Sequence, residues 1–350
     1  MRKSLYILII VLFAGCIENY THKGVEEIDD LLVIEGIITE GESVFSLRRS
    51  IGLTWEFSKE KYIDDAIVYV EKDNGELLYG TNNGNGEYIV HTGTLDPNTK
   101  YRLSVKIGED EYESEFLSPF FTPEIDSIMP VKRRAGEPVY ICLNTHDIND
   151  QSRYYLWSFK DIWEVKTELM TERGDTYYCW GRDYSRKIIV GSSEYFSENM
   201  IYQKRINEIP CDNDRISILY YITVEQNQIR KEAHDYFANV QKNIEQTGSI
   251  FSPVPSEMKG NIRCITNPDI PVIGYIEVST TVNKSVFISD EEWGFYEAPV
   301  KGCYQEILDY QASGYQYYGG GMFAPAICVD CTYKEKATKN RPDFWPTEHY

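Results

Sequence analysis

Leu95-Asp96-Pro97-Asn98-Thr99-Lys100-Tyr101-Arg102-Leu103-Ser104-Val105 is the stretch on which the fold assignment turns. Tyr101, Leu103 and Val105 alternate with Arg102, Ser104 and Lys106, so a strand here has one apolar face and one wet face. Gly108-Glu109-Asp110 then reads as a turn and residues 112–116 as the returning strand of a hairpin. Upstream, residues 32–38, 44–48, 66–70 and 86–90 have strand composition, and Asp73-Asn74-Gly75 is a turn that ends the third of them.

The spacing Leu-x-Pro-x-Thr-x-Tyr resembles the tyrosine corner of fibronectin type III sandwiches, in which the ring hydroxyl bonds back to the backbone just upstream. Residues 28–122 are therefore expected to form an immunoglobulin-like, fibronectin III-like or transthyretin-like β-sandwich. Pro119, Pro123 and Pro130 mark the link to a second region, 123–350. That region also reads as strands, at 139–143, 153–159, 177–180, 187–190 and 216–224. One long helix is expected at about 224–247. Thr223 and Gln226 suit a capping box, and Gly248 suits the position after its end. Ile229, Ala233, Tyr236, Phe237, Val240 and Ile244 recur at helical spacing, with His234 beside them on a polar shoulder. Residues 274–279 and 284–288 read as a hairpin, and 290–350 is rich in Gly, Tyr and Cys with little periodicity. The expected class is mainly β: a sandwich plus a second β-rich domain carrying one inserted helix. The 28 tyrosines agree with it.

The first sixteen residues carry a different message. Arg2 and Lys3 precede the apolar run 5–13, and Ala14-Gly15-Cys16 follows. This is an export signal with a small-residue cleavage site. A Cys directly after it marks a bacterial lipoprotein, cut before Cys16 and lipidated on its thiol. Phe13 stands where Leu is commoner. The run is shorter than the about 20 apolar residues a membrane span needs. Residues 1–15 are thus expected to be a signal peptide, Cys16 a lipid anchor, and 16–27 a flexible tether. The chain carries 55 acidic against 35 basic residues, a net charge of −20, which disfavours nucleic acid as a partner.

Seven further cysteines follow. An exported compartment permits disulfides among Cys179, Cys211, Cys264, Cys303, Cys328 and Cys331, whose pairing spacing cannot decide. Cys142 sits in an apolar run and reads as a buried thiol. Cys328-Val329-Asp330-Cys331 is a CxxC, but neither a second CxxC nor a His pair accompanies it as zinc ligands, and its flanks do not look helical as a redox motif requires. Asp147-Ile148-Asn149-Asp150 and Asp290-Glu291-Glu292 are weak acidic clusters without the glycine and distal glutamate of a calcium loop. No GxSxG, HExxH, Walker loop or strand-to-helix GxGxxG is present. No catalytic residue, metal or cofactor is expected. Tyr315, Tyr317, Tyr318 and Phe323 lie in a Gly-rich segment that forms either a recognition loop or an inward-packed Ω-loop. Asp126-Ser127-Ile128 resembles an O-glycosylation acceptor centred on Ser127.

Cys328-Val329-Asp330-Cys331-Thr332 followed by Arg341-Pro342-Asp343-Phe344-Trp345 is similar to the end of a Bacteroidota lipoprotein family designated domain of unknown function 4249. Cys179-Trp180, Gly248-Ser249-Ile250-Phe251 with Pro253 and Pro255, Gly260-Asn261-Ile262 and Ile273-Gly274-Tyr275 appear in that family's order. So do Leu32-Val33-Ile34-Glu35-Gly36 and Asp65-Ala66-Ile67-Val68 near the start. Residues 333–340 depart from the family's usual Gly/Thr-rich link. The resemblance implies an outer-membrane lipoprotein, encoded near TonB-dependent receptors, and brings no catalytic residues with it. The expected function is a non-enzymatic accessory or binding subunit. It would be lipid-anchored, displayed at the cell surface, and partnered by a TonB-dependent receptor and a nutrient or surface ligand. A surface adhesin is the alternative, and a hydrolase with a site assembled from distant carboxylates is a third reading.

Overall fold

A computed structural model describes residues 31–50, 61–132, 134–196, 198–246, 260–289 and 302–347. The signal, Cys16, the tether, the Gly248–Pro255 motif and the 290–292 cluster lie outside the described residues. The chain is mainly β. Its first strands are β1 (Leu32–Ile38), β2 (Gly41–Arg49), β3 (Lys61–Tyr62), β4 (Ile67–Lys72), β5 (Leu77–Gly84), β6 (Glu87–Gly93), β7 (Tyr101–Ile107) and β8 (Asp110–Ser114). Then come β9 (Ile125–Val131), β10 (Val139–His146), β11 (Tyr154–Lys166), β12 (Tyr178–Tyr184), β13 (Ile189–Ser192), β14 (Met200–Ile209) and β15 (Leu219–Gln228). Helix α1 (Lys231–Gln246) precedes β16 (Ile262–Cys264), β17 (Val272–Ile273), β18 (Glu277–Val278) and β19 (Thr281–Ser289). The tail adds β20 (Tyr315–Gly319), β21 (Met322–Pro325), the single turn α2 (Ala326–Val329) and β22 (Ala337–Thr338).

The alternation in 101–105 is realised in β7. Tyr101, Leu103 and Val105 are buried with Phe45, Leu47, Val68, Val70, Tyr88 and Val90 in one core. The Tyr101 hydroxyl accepts the Asp96 N–H at 2.8 Å, which makes the tyrosine corner. Ser104 departs from the expected wet face: it is buried. Strands run β16-β8-β7-β4-β5-β6-β2-β1-β17, with β3 on β2 and β18 on β1. Strand β5 pairs with both β4 and β6, so one continuous sheet folds over the core.

This sheet is completed from far along the chain. β16 pairs antiparallel with β8, and β17 and β18 pair parallel with β1. Residues 274–279 therefore do not form a hairpin with 284–288; β19 pairs with β15 instead. Two features send the segment to β1. Gly274 has φ +146°, and a Cβ there would lie 2.0 Å from the Ile34 carbonyl, so only glycine fits. The Asn261 side chain donates to the Ile276 carbonyl and accepts its N–H, both at 2.8 Å, standing in for a strand.

The second region is also a sandwich. A sheet ordered β14-β10-β9 faces a sheet ordered β19-β15-β11-β12-β22, with β13 also on β11. The odd residues of β11, Tyr155, Trp157, Phe159, Trp163 and Val165, join Val139, Ile141, Leu143, Tyr220 and Ile222 between the sheets. The even residues face the other way. Leu156 and Tyr154 meet α1, while Ile162 meets the tail residue Trp345.

Helix α1 begins at Lys231, later than about 224, because the 219–228 segment continues as a strand between β11 and β19. Thr223 and Gln226 accordingly lie in β15, not in a capping box. Ile229 just ahead of the helix, with Ala233 and Tyr236 on it, packs against Val190 and Tyr275. Ile244 leaves the apolar stripe and is 65% exposed. Where the two sandwiches meet, the Arg230 guanidinium bonds the fully buried Glu277 carboxylate, and the Arg230 N–H donates to it at 2.9 Å. Phe120 stacks under that guanidinium at 4.4 Å.

Candidate functional site

Two disulfides pin the tail. Cys179 joins Cys331 and Cys303 joins Cys328, so the halves of the CxxC go to different partners. The motif is flanked by α2 and a short 3-10 turn over 331–333, against the expectation of non-helical flanks. With both thiols committed to bridges to other elements, the CxxC works as a double staple. Cys211 and Cys264 stand outside both bridges, and Cys142 is a buried thiol whose pKa burial pushes up. Beyond the staples, Trp345 lies against Phe287, and its indole N–H donates to the buried Glu164 at 2.9 Å.

The Tyr/Gly-rich segment is a β-hairpin, β20–β21, not an open loop. Its residues divide. Tyr318 packs against the cluster of Leu169, Cys303, Ala324, Cys328 and Val329. Tyr317 remains half-exposed, edge-on to Phe323 at 5.8 Å, and Tyr315 is half-buried. The hairpin tip is tied down by Gly320 N–H donating to Glu172 at 3.2 Å.

Ser127 lies within β9 and accepts from the Asn144 side chain at 3.0 Å. The Asp147 carboxylate turns inward and accepts three N–H groups, from Asn149, Gln151 and Ser152. Burial raises its pKa, but these bonds outweigh that and hold it low. The segment is thus a turn, solvated at 148–150 and clamped by its own Asp147. His91, His146 and His234 each pair with a carboxylate, of Glu42, Asp126 and Asp235. Among the described residues no three His, Cys, Asp or Glu side chains converge to hold a metal. Nor is any described helix long and apolar enough to cross a membrane.

A separate concavity lies elsewhere. A cleft of ≈ 780 Å³ opens between the β12–β13 corner, β14 and the last turns of α1. Phe159, Ile188, Ile189, Ile206 and Ile244 supply apolar wall; Arg186, Lys187, Lys204, Arg205 and Arg215 supply cations; Asp183 and Glu208 supply the carboxylates. Arg215 is braced from behind. It lies 4.3 Å over Trp163, and its two terminal nitrogens bond Asp161 at 3.2 Å and Asp183 at 2.9 Å. Asp161 is fully buried, accepts the Tyr220 hydroxyl at 2.8 Å, and sits on the inward face of β11 among aromatic residues. Burial pushes its carboxyl up, more than Arg215 and Tyr220 pull it down, and Oδ1 has no hydrogen-bond partner. Asp183 behaves oppositely. Burial works against its charge, yet bonds from Lys336 and Arg215 win and hold it at about 2.

Sequence reading did not bring this cleft together. Its signals were the adjacent cation pairs Arg186-Lys187 and Lys204-Arg205 on an acidic chain, and one aspartate in the alternation Tyr155, Trp157, Phe159, Asp161, Trp163. None has a motif's spacing, because residues from 159 to 244 meet only in three dimensions.

Fold and site together define a mainly β, disulfide-stapled chain of two sandwiches with a cationic cleft. A family profile, "Domain of unknown function (DUF4249)", matches residues 17–285, and the chain belongs to that family. No curated protein matches the chain.

Proposed function

We infer that this protein is an outer-membrane lipoprotein of the Bacteroidota type, tethered through Cys16 and displayed at the cell surface. Its β-rich body acts as a non-enzymatic binding subunit of a TonB-dependent transporter. The observation that carries the reading is the apolar run 5–13 closed by Ala14-Gly15-Cys16, placed ahead of a body with two disulfides. Disulfides belong to oxidising compartments, in keeping with export. A cleft of ligand size supports binding.

The test is to isolate the tagged chain from its own outer membrane. Intact mass should show loss of residues 1–15 and a diacylglyceryl group on Cys16, abolished by Cys16→Ser. A TonB-dependent receptor should co-purify in stoichiometric amount. An unlipidated chain, or a lipidated chain with no receptor and no defect in nutrient uptake on deletion, overturns the corresponding half of the reading.

A further inference from the structure

We propose that the cleft between the β12–β13 corner, β14 and the end of α1 binds a small organic anion carrying at least two oxyanion groups on an apolar or ring-shaped body. The proposal gives a ligand class to the binding subunit inferred above. It rests on that reading only for the ligand's biological route.

Charge distribution is the first argument. The chain carries 20 more acidic than basic residues, yet five cations and two carboxylates line this cleft. One of those carboxylates, Asp183, is already bonded to Arg215 and Lys336. Among the described residues no carboxylate lies within ion-pair distance of Arg186, Lys187, Lys204 or Arg205. Exposed lysines and arginines often lack partners, so Arg186 and Lys187 alone would signify little.

Lys204 is different. Its side chain lies across β13, donates to the Val190 carbonyl and approaches the Trp157 ring at 5.7 Å. Burial lowers its pKa, with no counter-charge to oppose the shift. A half-buried ammonium without an anion carries a desolvation cost, and a bound oxyanion at the cleft mouth would relieve it. Arg205 is held beside it by stacking on Tyr140 at 4.1 Å, and Asn207 is held by the Tyr220 hydroxyl at 3.1 Å. Cations and donors fixed before the ligand arrives lose little freedom on binding.

Size and polarity limit the ligand. A volume of ≈ 780 Å³ lies within the range of small-molecule pockets. Ile188 and the 65%-exposed Ile244 add apolar surface to the lining, which a bare inorganic ion would leave uncovered. Phosphate esters and polycarboxylates share the required chemistry.

The experiment is calorimetric titration of the full-length lipidated protein in non-ionic detergent at low salt. Fructose 1,6-bisphosphate and citrate are the two anionic probes, and glucose is the uncharged control. Saturable binding is expected for at least one anion and not for glucose; which anion binds separates phosphate from carboxylate recognition. Lys204→Met should weaken binding at least tenfold while leaving the unliganded melting temperature unchanged or higher, since it removes a half-buried charge that has no anionic partner. Arg186→Gln with Lys187→Gln should weaken binding severalfold without touching the buried residues, and keeps the test open should Lys204→Met misfold. No binding of either anion beyond the glucose control, or binding unaltered in both variants, overturns the proposal. Absence of a co-purifying receptor leaves this titration untouched, so the two failures are distinguishable.

Discussion

The first sandwich buries Tyr101, Leu103, Val105, Val68 and Val90, and fixes a key turn with one tyrosine hydroxyl. The second buries Asp161, Glu164, Gln226 and Asn227 and adds two disulfides. Apolar burial is non-directional and tolerates exchange of residues. Buried polar groups have obligatory partners, so each charged or amide side chain in the second sandwich ties its position to named neighbours. The comparison teaches where function can reside: the first sandwich, whose buried Glu277 and Asn261 lie on the late-joining segment, supplies a frame, and the second holds cations in fixed positions around a cleft.

The largest effect should come from the staples. The Cys179–Cys331 bridge spans 152 residues and Cys303–Cys328 spans 25. Loop entropy makes the former worth about 5 kcal/mol and the latter about 3.5 kcal/mol. Thermal unfolding with and without reductant should therefore lower the transition of the second sandwich and leave the first in place. Cys179→Ser/Cys331→Ser should cost more than Cys303→Ser/Cys328→Ser. Equal losses in both sandwiches would break the comparison.

Next is the junction. Arg230→Ala leaves Glu277 buried without its guanidinium, which should cost about 3–5 kcal/mol. Burial already raises the Glu277 pKa, with Arg230 opposing, so the variant's loss should shrink at acid pH as Glu277 takes up a proton. A loss independent of pH would show that Arg230 matters through packing on Phe120 instead.

Asp183 and Asp161 should then give opposite pH signatures. The folded pKa of Asp183, about 2, lies below the ordinary 3.8, so its contribution is present above pH 4 and disappears as pH falls towards 2. Asp183→Asn should cost roughly 2 kcal/mol at pH 7 and little near pH 2. The folded pKa of Asp161 is raised, so its contribution is full below the unfolded value and is lost as pH rises through the folded one. Asp161→Asn should accordingly flatten the stability profile above pH 4. Denaturant titrations at several pH values check both signs.

What could be read from sequence was local. The alternation around Tyr101, the Leu32–Ile38 strand and the apolar helix stripe follow from residue period alone. Strands β5 and β14 escaped because Asn82, Asn83, Gln203 and Lys204 interrupt their alternation, and β9 because Pro123 before it and Pro130 within it read as a link. The helix start was misplaced because β15 ends in Glu225-Gln226-Asn227-Gln228, polar on both faces, so the strand alternation fades before Lys231. The route of residues 262–278 back to β1 depends on Gly274 approaching Ile34, a contact between residues 240 apart in sequence. The family motifs Asn261, Gly274, Cys179-Trp180 and Trp345 have structural tasks, which is why recognising them pointed to architecture and not to the cleft.

The smallest effect tests the stretch with which the chain was first read. Tyr101→Phe keeps the buried ring and removes only the acceptor of the Asp96 N–H. Asp96 itself holds Asn98 N–H at 2.9 Å and the Thr99 hydroxyl at 3.3 Å, so the turn keeps its internal bonds. The expected cost is about 1 kcal/mol, a net hydrogen bond, with no change in the second sandwich. Urea unfolding followed separately in the two sandwiches measures it. A cost of about 3 kcal/mol would mean that Asp96 N–H is left dry and unpartnered, and that the first sandwich too depends on directional bonds. No cost at all would mean that packing of the ring alone holds the corner, which sharpens the contrast between a frame built on burial and a cleft built on fixed charges.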